Sequence, residues 1–243
     1  MLSRIAKAVD RRIGPFLRSL GDRVECPLCG WSGHRFEPEG LAYARNRRCR
    51  RCGAVERHRM LWLHLRDRTD LLRRPTRVLD VAPMASVARA MDADRALTRV
   101  GTDLSPDRDP HVVADLTAVG LRGDAFDLAV CFHVLEHIPD DAAAMRELHR
   151  TLRPGGTLLV QVPLAEGTAT EEDPAAPPEE RRRRFHQDDH VRLYGLDVVD
   201  RLGAAGFEVE PTRPVEWLAP ETYERHALAG DDQVILVCRK PSP

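Results

Sequence analysis

Lysine is almost missing from this chain. Only Lys7 and Lys240 occur among 37 basic residues, and the other 35 are arginine. We read that as compositional bias, of the kind a GC-rich genome produces, and not as mechanism. Aromatic residues are also few, at 5%. They do not interleave with the arginines, so no stacking platform for single-stranded nucleic acid is marked out. No apolar run approaches membrane-spanning length, which excludes a transmembrane helix as the organising element and predicts no membrane partner. Met1 to Leu20 carries scattered charge and lacks an apolar h-region and a cleavage site, so no secretory signal is expected and the expected location is the cytoplasm. Glycine is missing where it would be most informative. In Arg77-Val78-Leu79-Asp80-Val81-Ala82-Pro83-Met84-Ala85-Ser86, an apolar run ends in a carboxylate and turns toward a helical pattern without the glycines that usually mark a nucleotide-binding turn.

What is present suffices for a folded core. The 243 residues are 42% hydrophobic, enough for one sizeable α/β domain and a small appendage. The net charge of −1 hides an asymmetry. Residues 1–77 hold 19 Lys and Arg against 8 Asp and Glu, and residues 78–243 hold 18 against 30, so a module at +11 precedes one at −12. Such a pair fits a polyanionic partner or two modules that attract each other; we weight the second.

The spacing divides the chain into four parts. Residues 1–22 carry Leu2, Ile5, Ala6, Val9, Ile13, Phe16, Leu17 and Leu20 at helical intervals, interrupted by Gly14-Pro15, and predict an N-terminal helix. Residues 23–55 contain Cys26-Pro27-Leu28-Cys29-Gly30 and, nineteen residues on, Cys49-Arg50-Arg51-Cys52-Gly53. Two residues between cysteines let both thiolates face one ion, and the following glycine permits the tight backbone turn. Disulfides and free buried thiols are the alternatives, and a cytosolic setting disfavours the first. Four thiolates suit tetrahedral zinc and leave no open position, so Cys26, Cys29, Cys49 and Cys52 predict a structural zinc-ribbon-like module. Cys131 and Cys238 sit in apolar runs and read as core. A hairpin is expected within 31–46. Residues 56–75 read as a connecting helix, where His58 is either a helix residue or a polar contact to a substrate.

From residue 76 strands alternate with helices. Strands are expected over Thr76–Val81, Thr98–Asp103, His111–Ala114, Ala125–Phe132, Thr157–Val162, Phe207–Glu210 and Gln233–Cys238. Helices are expected from Ser86, over Asp140–Leu152 and over Leu196–Ala205. The fold class is therefore α/β: a doubly wound, mostly parallel, seven-stranded sheet covered on both faces. The interval from Asp80 to Asp103 is the one that sets an acidic side chain opposite the ribose of a bound nucleoside.

Six stretches carry a resemblance. They are Val78-Leu79-Asp80, Gly101-Thr102-Asp103-Leu104-Ser105, Ala114-Asp115-Leu116, Phe126-Asp127-Leu128, His133-Val134-Leu135-Glu136-His137-Ile138 and Leu152-Arg153-Pro154-Gly155-Gly156. In this order and spacing residues 78–162 resemble the class I S-adenosylmethionine-dependent methyltransferases, with their Rossmann-like sheet. The cysteine pairs, Glu56-Arg57-His58-Arg59 and the run from Phe185 to Gly195 extend the resemblance, over about residues 24–210, to a bacterial subgroup with an N-terminal cysteine knuckle pair. The resemblance implies that Asp80, Ala82 and Pro83 flank the methionine part of S-adenosyl-L-methionine. It implies that Asp103 holds the ribose hydroxyls with Leu104 beside it, that Asp115 and Leu116 frame the adenine, and that His133 lies where the fourth strand opens toward cofactor and substrate.

Residues 163–195 interrupt the alternation and read as a lid. Phe185-His186-Gln187-Asp188-Asp189-His190-Val191-Arg192-Leu193-Tyr194 concentrates titratable groups just after a strand, where it can fold over the carboxyl edge of the sheet. Methyl transfer to a hydroxyl requires alignment, exclusion of water and a base. His190 is assigned as that base, with Asp188 or Asp189 orienting it and His186 as second choice. Arg192 and Tyr194 are assigned to the acceptor, with His137 and His58 as further contacts. The plainer alternative is that these groups cap a helix and pair with one another. A divalent ion on His186, Asp188, Asp189 and His190 ranks second.

The reading is a cytoplasmic methyltransferase with a structural zinc module. Its acceptor is a small or glycan-like molecule, methylated at oxygen. An RNA methyltransferase holding nucleic acid on the basic module, and a non-catalytic module with a degenerate cofactor site, are the alternatives.

Overall fold

The computed structural model describes residues 20–39, 44–165, 167–229 and 234–242. The N-terminal helix expected over 1–22 falls almost wholly outside them. Two compact units divide the chain. The first takes in the described residues up to Thr69 with those of 214–233, and the second takes in 70–213 with 234–242. Residues 214–229, expected in the larger domain, thus pack within the first unit.

In the second unit seven strands form one sheet: β1 (Thr76–Val81), β2 (Leu97–Asp103), β3 (Val112–Val113), β4 (Phe126–Phe132), β5 (Leu152–Gln161), β6 (Glu208–Thr212) and β7 (Ile235–Arg239), in the order β6-β7-β5-β4-β1-β2-β3. β1 to β5 run parallel, and β7 is antiparallel to both β5 and β6. This is the mostly parallel, doubly wound architecture that the sequence implied. All seven residues of β4 are buried, as a central parallel strand covered on both faces requires. A core of aliphatic side chains from β1, β4, β5 and β7 meets α3 (Asp141–Thr151) through Ala144, Met145 and Leu148, and α5 (Val198–Ala204) through Val198 and Leu202. α3 starts where expected because the Asp140 carboxylate accepts from the Ala143 amide at 2.9 Å. The Pro-Gly-Gly after it does not separate helix from strand as predicted. β5 starts at Leu152 and bulges, so that Leu152 opposes Phe126 while Thr157 opposes Leu128. Lys240 closes that bulge. Its backbone exchanges hydrogen bonds with Gly155 and Gly156, and its Nζ donates to Asp124 and the Leu152 carbonyl.

The insertion 163–195 is built rather than loose. Glu171–Glu172 pairs antiparallel with Arg192–Leu193, and α4 (Pro178–Phe185) lies between them in sequence. Arg184 holds the segment together through Glu171, Asp173 and Glu180. A Cβ on Gly195 would stand 2.0 Å from the Thr168 carbonyl oxygen, so only glycine allows the two ends of the insertion to approach this closely.

Arg192 corrects an expectation. It is 1% exposed, and its guanidinium donates to the carbonyls of Leu135 (2.8 Å), Ile138 (2.5 Å) and Pro139 (2.8 Å) and to Glu172 (3.0 Å). Tyr194 is fully buried and donates to Asp141 at 2.7 Å. Both tie the insertion to the turn after β4, and both are buried rather than presented to an acceptor.

In the first unit, Val24–Glu25 pairs with Ser32–Gly33 and Glu37–Glu39 with Ala44–Arg48, followed by α1 (Glu56–Arg68). α1 ends short of the predicted residue 75. A second short helix, α6 (Pro220–Arg225), belongs to the same unit and was not anticipated. Val24, Cys26, Phe36, Cys49, Ala54 and Ala227 form its core. Fully buried Arg59 donates to the carbonyls of Arg47, Ala54, His226 and Ala227 and lies 4.1 Å over the Phe36 ring.

Replacing Arg192 by lysine keeps the charge but cannot reproduce a planar fork serving four acceptors. We expect a loss of about 3 kcal/mol, from carbonyls left without donors at roughly 1–3 kcal/mol each. Urea denaturation of Arg192→Lys measures it, and a loss under about 0.5 kcal/mol, as for an ordinary surface change, would show that the clamp is dispensable.

Candidate functional site

The carboxyl ends of β1, β2 and β4 are neighbours in the sheet, and Asp80, Asp103 and His133 stand at or next to them. After β1 the chain turns through Ala82 and Pro83 into α2 (Ala85–Ala93). Ala82 has φ +47°, in the left-handed region, and its amide donates to the Thr102 carbonyl at 2.8 Å. The turn thus keeps a conformation that glycine adopts freely, at a cost of about 1–2 kcal/mol for alanine.

Asp80 is 1% exposed. One carboxylate oxygen lies 3.4 Å from Arg99, and the other has no hydrogen-bond partner. Arg99 also grips Asp92 with two bonds of 2.8 Å. Burial pushes the Asp80 carboxyl up to about 7, against the pull of Arg99. Sequence reasoning missed Arg99. The signal was available, since on a strand Arg99, Gly101 and Asp103 share a face and β2 pairs Gly101 with Asp80.

Asp103 ends β2, half-buried, with one oxygen accepting from the Ser105 amide at 2.9 Å. Leu104 beside it is 71% exposed, an apolar side chain left uncovered at the mouth of the sheet. Asp115 accepts from the amide and hydroxyl of Thr117, which hold its carboxyl below the usual range. Leu116 turns into the core. An orphaned buried carboxylate oxygen, a carboxylate at the end of the second strand and an uncovered leucine fit an elongated ligand with a cation at one end, hydroxyls in the middle and a flat ring at the other. S-adenosylmethionine has those parts.

At the end of β4, His133 also has a left-handed backbone, with φ +55°. Its Nδ1 lies 3.2 Å from Glu136, whose carboxylate is fully buried and has no other partner among the described residues. His137 and His190 stack edge to face at 4.7 Å. His190 is 2% exposed. Its Nδ1 faces the Phe185 carbonyl at 2.8 Å, which makes that nitrogen the donor and leaves Nε2 as a buried lone pair without a partner. Burial holds the His190 pKa below the usual histidine range, against the pull of Glu136. The orienting group is thus a backbone carbonyl and not a carboxylate. Asp188 pairs with Arg182 on the surface, and Asp189 faces His137 at 3.3 Å. His186 caps α4 in a left-handed conformation, exposed. His58 belongs to the first unit, where its Nδ1 accepts from the Val55 amide at 3.4 Å at the start of α1.

A sequence profile described as methyltransferase domain matches residues 43–212. The chain belongs to that methyltransferase family. Its seven-stranded sheet is the Rossmann-like fold expected of the class I, S-adenosylmethionine-dependent type. A ubiquinone biosynthesis O-methyltransferase of Methylobacterium sp. is 32% identical over 133 residues, 51% of each protein. The chain spans about half the length of the curated relatives it matches. A putative sarcosine dimethylglycine methyltransferase from Galdieria sulphuraria superposes with TM-score 0.53 at 15% identity, covering 75% of this chain and 85% of its own. The [4+2]-cyclase SpnF superposes with TM-score 0.53 at 17% identity, covering 98% and 96%. Both structural likenesses are of fold alone. Among the described residues no helix is long and apolar enough to cross a membrane.

In the first unit the four cysteines converge. Cys26 and Cys52 sulfurs lie 3.6 Å apart, and those of Cys29 and Cys49 3.7 Å. Disulfide sulfurs would be about 2.05 Å apart. Tetrahedral zinc with bonds of about 2.3 Å puts sulfurs about 3.8 Å apart. Gly30 and Gly53, at φ +69° and +78°, close the knuckles, with their amides donating to Cys26 and Cys49 carbonyls. The group can hold a metal ion.

Between pH 4 and 7 folded Asp80 keeps a proton that the unfolded chain has released, since the folded value is about 7 and the ordinary one 3.8. The unfolded state then binds fewer protons, so this group's contribution to stability falls as pH rises through that window. Asp80→Asn is expected to be more stable than wild type at pH 8, with the advantage shrinking toward pH 5. Thermal denaturation across that range checks it, and a variant that is no more stable at pH 8 refutes the assignment.

Proposed function

We propose that this chain is a cytoplasmic S-adenosylmethionine-dependent methyltransferase that methylates a hydroxyl of a small-molecule or glycan-type acceptor. The observation that carries the reading is the His133–Glu136–His137–His190 cluster, set at the end of β4 beside the carboxyl ends of β1 and β2. The family supports the cofactor, and the O-methyltransferase relative supports the oxygen. Asp103 holds the ribose hydroxyls. Leu104 and Asp115 frame the adenine, while the Leu116 side chain packs in the core beneath. The Ala82–Pro83 turn and the free oxygen of Asp80 take the methionine end. The missing glycines do not argue for a degenerate site, because Ala82 supplies the left-handed turn itself.

When bound, the cofactor supplies a methyl group activated on a sulfonium. This chain's residues align the acceptor oxygen and accept its proton. His190 is the best-placed base of those named from sequence, neutral and with a buried Nε2 lone pair. His137 packs edge to face on His190 and is half exposed, so it is the contact offered to the acceptor. Arg192 and Tyr194 hold the framework instead.

The cysteine group holds one structural zinc ion. Four sulfurs saturate it, and fully buried Arg59 sits among carbonyls close enough for the thiolates to favour its charge. Reduced cysteines of this kind persist in the cytoplasm.

Titration calorimetry with S-adenosylmethionine and S-adenosylhomocysteine should show micromolar binding to wild type, weakened about tenfold or more in Asp103→Ala, the value of about 1.4 kcal/mol for lost hydrogen bonds. No binding to wild type, alone or with candidate acceptors, refutes the cofactor assignment. Elemental analysis should find one zinc per chain, and Cys49→Ser should lose it and lower the unfolding temperature. A metal-free wild-type protein of unchanged stability refutes the structural role.

A further inference from the structure

Glu136, His137 and His190 are the second group among the described residues able to hold a metal ion, and they lie far in sequence from the cysteines. One oxygen or nitrogen from each lies within 4.8 Å of the others. Ligands about 2.1 Å from a common ion stand at most about 4.2 Å apart, so a small side-chain rotation closes the set. The chemistry is specific. Both Glu136 oxygens are buried without a hydrogen-bond donor, which is costly unless something cationic reaches them. Among the described residues no arginine or lysine is paired with Glu136; the imidazole of His133 lies 3.2 Å from it. His190 presents an unpartnered Nε2, with its other nitrogen anchored on the Phe185 carbonyl, the orientation in which a ligating histidine is commonly held. His137 turns its Nδ1 to the Asp189 carboxylate at 3.3 Å, which leaves its Nε2 as the lone pair. Glu136 and His190 form a buried floor, while the side chains of His133 and His137 are 25% and 34% exposed and leave a way in.

We propose that Glu136, His137 and His190 bind a divalent transition-metal ion with an open coordination position facing the acceptor pocket. Two imidazoles and one carboxylate favour a borderline ion such as zinc, cobalt, iron(II) or manganese over magnesium, which prefers oxygen ligands. The site deepens the methyltransferase reading and rests on it. The acceptor hydroxyl takes the open position, where the ion lowers its pKa. Its proton leaves to solvent on the exposed side of the site, and the oxygen forms its bond to the methyl carbon as the carbon–sulfur bond breaks and S-adenosylhomocysteine leaves. In the metal-bound protein His190 serves as a ligand in place of the base role given it above. This set differs from the one built on His186, Asp188 and Asp189, which the structure leaves on the surface.

Cobalt(II) titration of the chelator-treated full-length protein tests the site. Cobalt on the cysteines gives an intense sulfur charge-transfer band in the near ultraviolet. Cobalt on nitrogen and oxygen gives only weak visible bands. Wild type should take up two equivalents, one of each kind. His137→Ala, at the half-exposed rim, should keep the sulfur band and weaken the second equivalent by about tenfold or more, and Glu136→Gln should abolish it. Binding of S-adenosylhomocysteine, measured on the same samples, should persist in both variants and show that each is folded. A single equivalent with sulfur character in wild type that binds S-adenosylhomocysteine overturns the metal site alone. Failure of wild type to bind S-adenosylhomocysteine overturns the methyltransferase reading on which the site rests. A second equivalent that survives both substitutions places the ion elsewhere and also overturns the assignment.

Discussion

The candidate site depends on one guanidinium. Nothing in the backbone of β4 obliges the turn after it to lie beside a segment more than fifty residues later. Arg192 does this by donating to three carbonyls of that turn, those of Leu135, Ile138 and Pro139, while its neighbour Val191 donates an amide to the Glu136 carbonyl at 2.9 Å. Those bonds fix Glu136 and His137 against His190, two residues before the arginine. Because the bonds are buried, each is worth more than at the surface, and each carbonyl would be costly to leave unmet. Glu172 balances the charge, with Arg201 bridging Glu172 to Asp141. Glu136, His137 and His190 are therefore held by a positioning network and not by a loop free to drift, which is what the proposed alignment of an acceptor requires.

Backbone strain marks the same edge of the sheet. Ala82 after β1 and His133 after β4 both adopt positive φ without being glycine. Each is pinned by an amide hydrogen bond to the neighbouring strand, Ala82 to Thr102 and His133 to Gln161, both at 2.8 Å. Strain of about 1–3 kcal/mol per residue persists only where the surroundings over-determine it, and such places concentrate at ligand sites. At Ala82 the side chain does what glycine does elsewhere, at a thermodynamic disadvantage. At His133 the strain turns an imidazole toward Glu136 that a relaxed strand end would direct elsewhere.

Much of this was legible in the sequence and some was not, for physical reasons. Period and length located β1, β2, β4 and α3 to within a residue or two, since buried parallel strands read as continuous apolar runs. The cysteine spacing located the knuckles, because thiolate geometry is local. Asp103 and Asp115 stood out as candidates because one ends a strand and the other opens a turn, and Asp80 because it falls one residue before the end of β1. Side-chain fate could not be read in the same way. Arg192 and Tyr194 are polar residues in a polar-looking stretch, and only tertiary structure shows them spent on buried carbonyls and Asp141. The partner of His190 is a carbonyl, which has no sequence signature, so the nearby aspartates drew the assignment instead. Glu136 was visible as a residue and ambiguous as a role until its oxygens proved buried and unmet. Residues 214–229 join the first unit through short helices with little periodicity, so nothing local announced it.

The scarcity of lysine gains a structural meaning from the two buried arginines. Arg59 in the first unit and Arg192 in the second are the largest fully buried side chains. Each collects carbonyl oxygens from segments distant in sequence, Arg59 from 47, 54, 226 and 227 and Arg192 from 135, 138 and 139. A guanidinium has five donors in a rigid plane and retains its charge even where burial lowers Arg59 to about 10. An ammonium has three donors, stays strongly hydrated and gives up its proton readily when buried. Compositional bias can account for arginine on the surface, where either cation serves. At these two positions the chemistry itself demands arginine, and it falls on the carbonyl-rich turns that hold the cysteine module closed and the Glu136 turn in place.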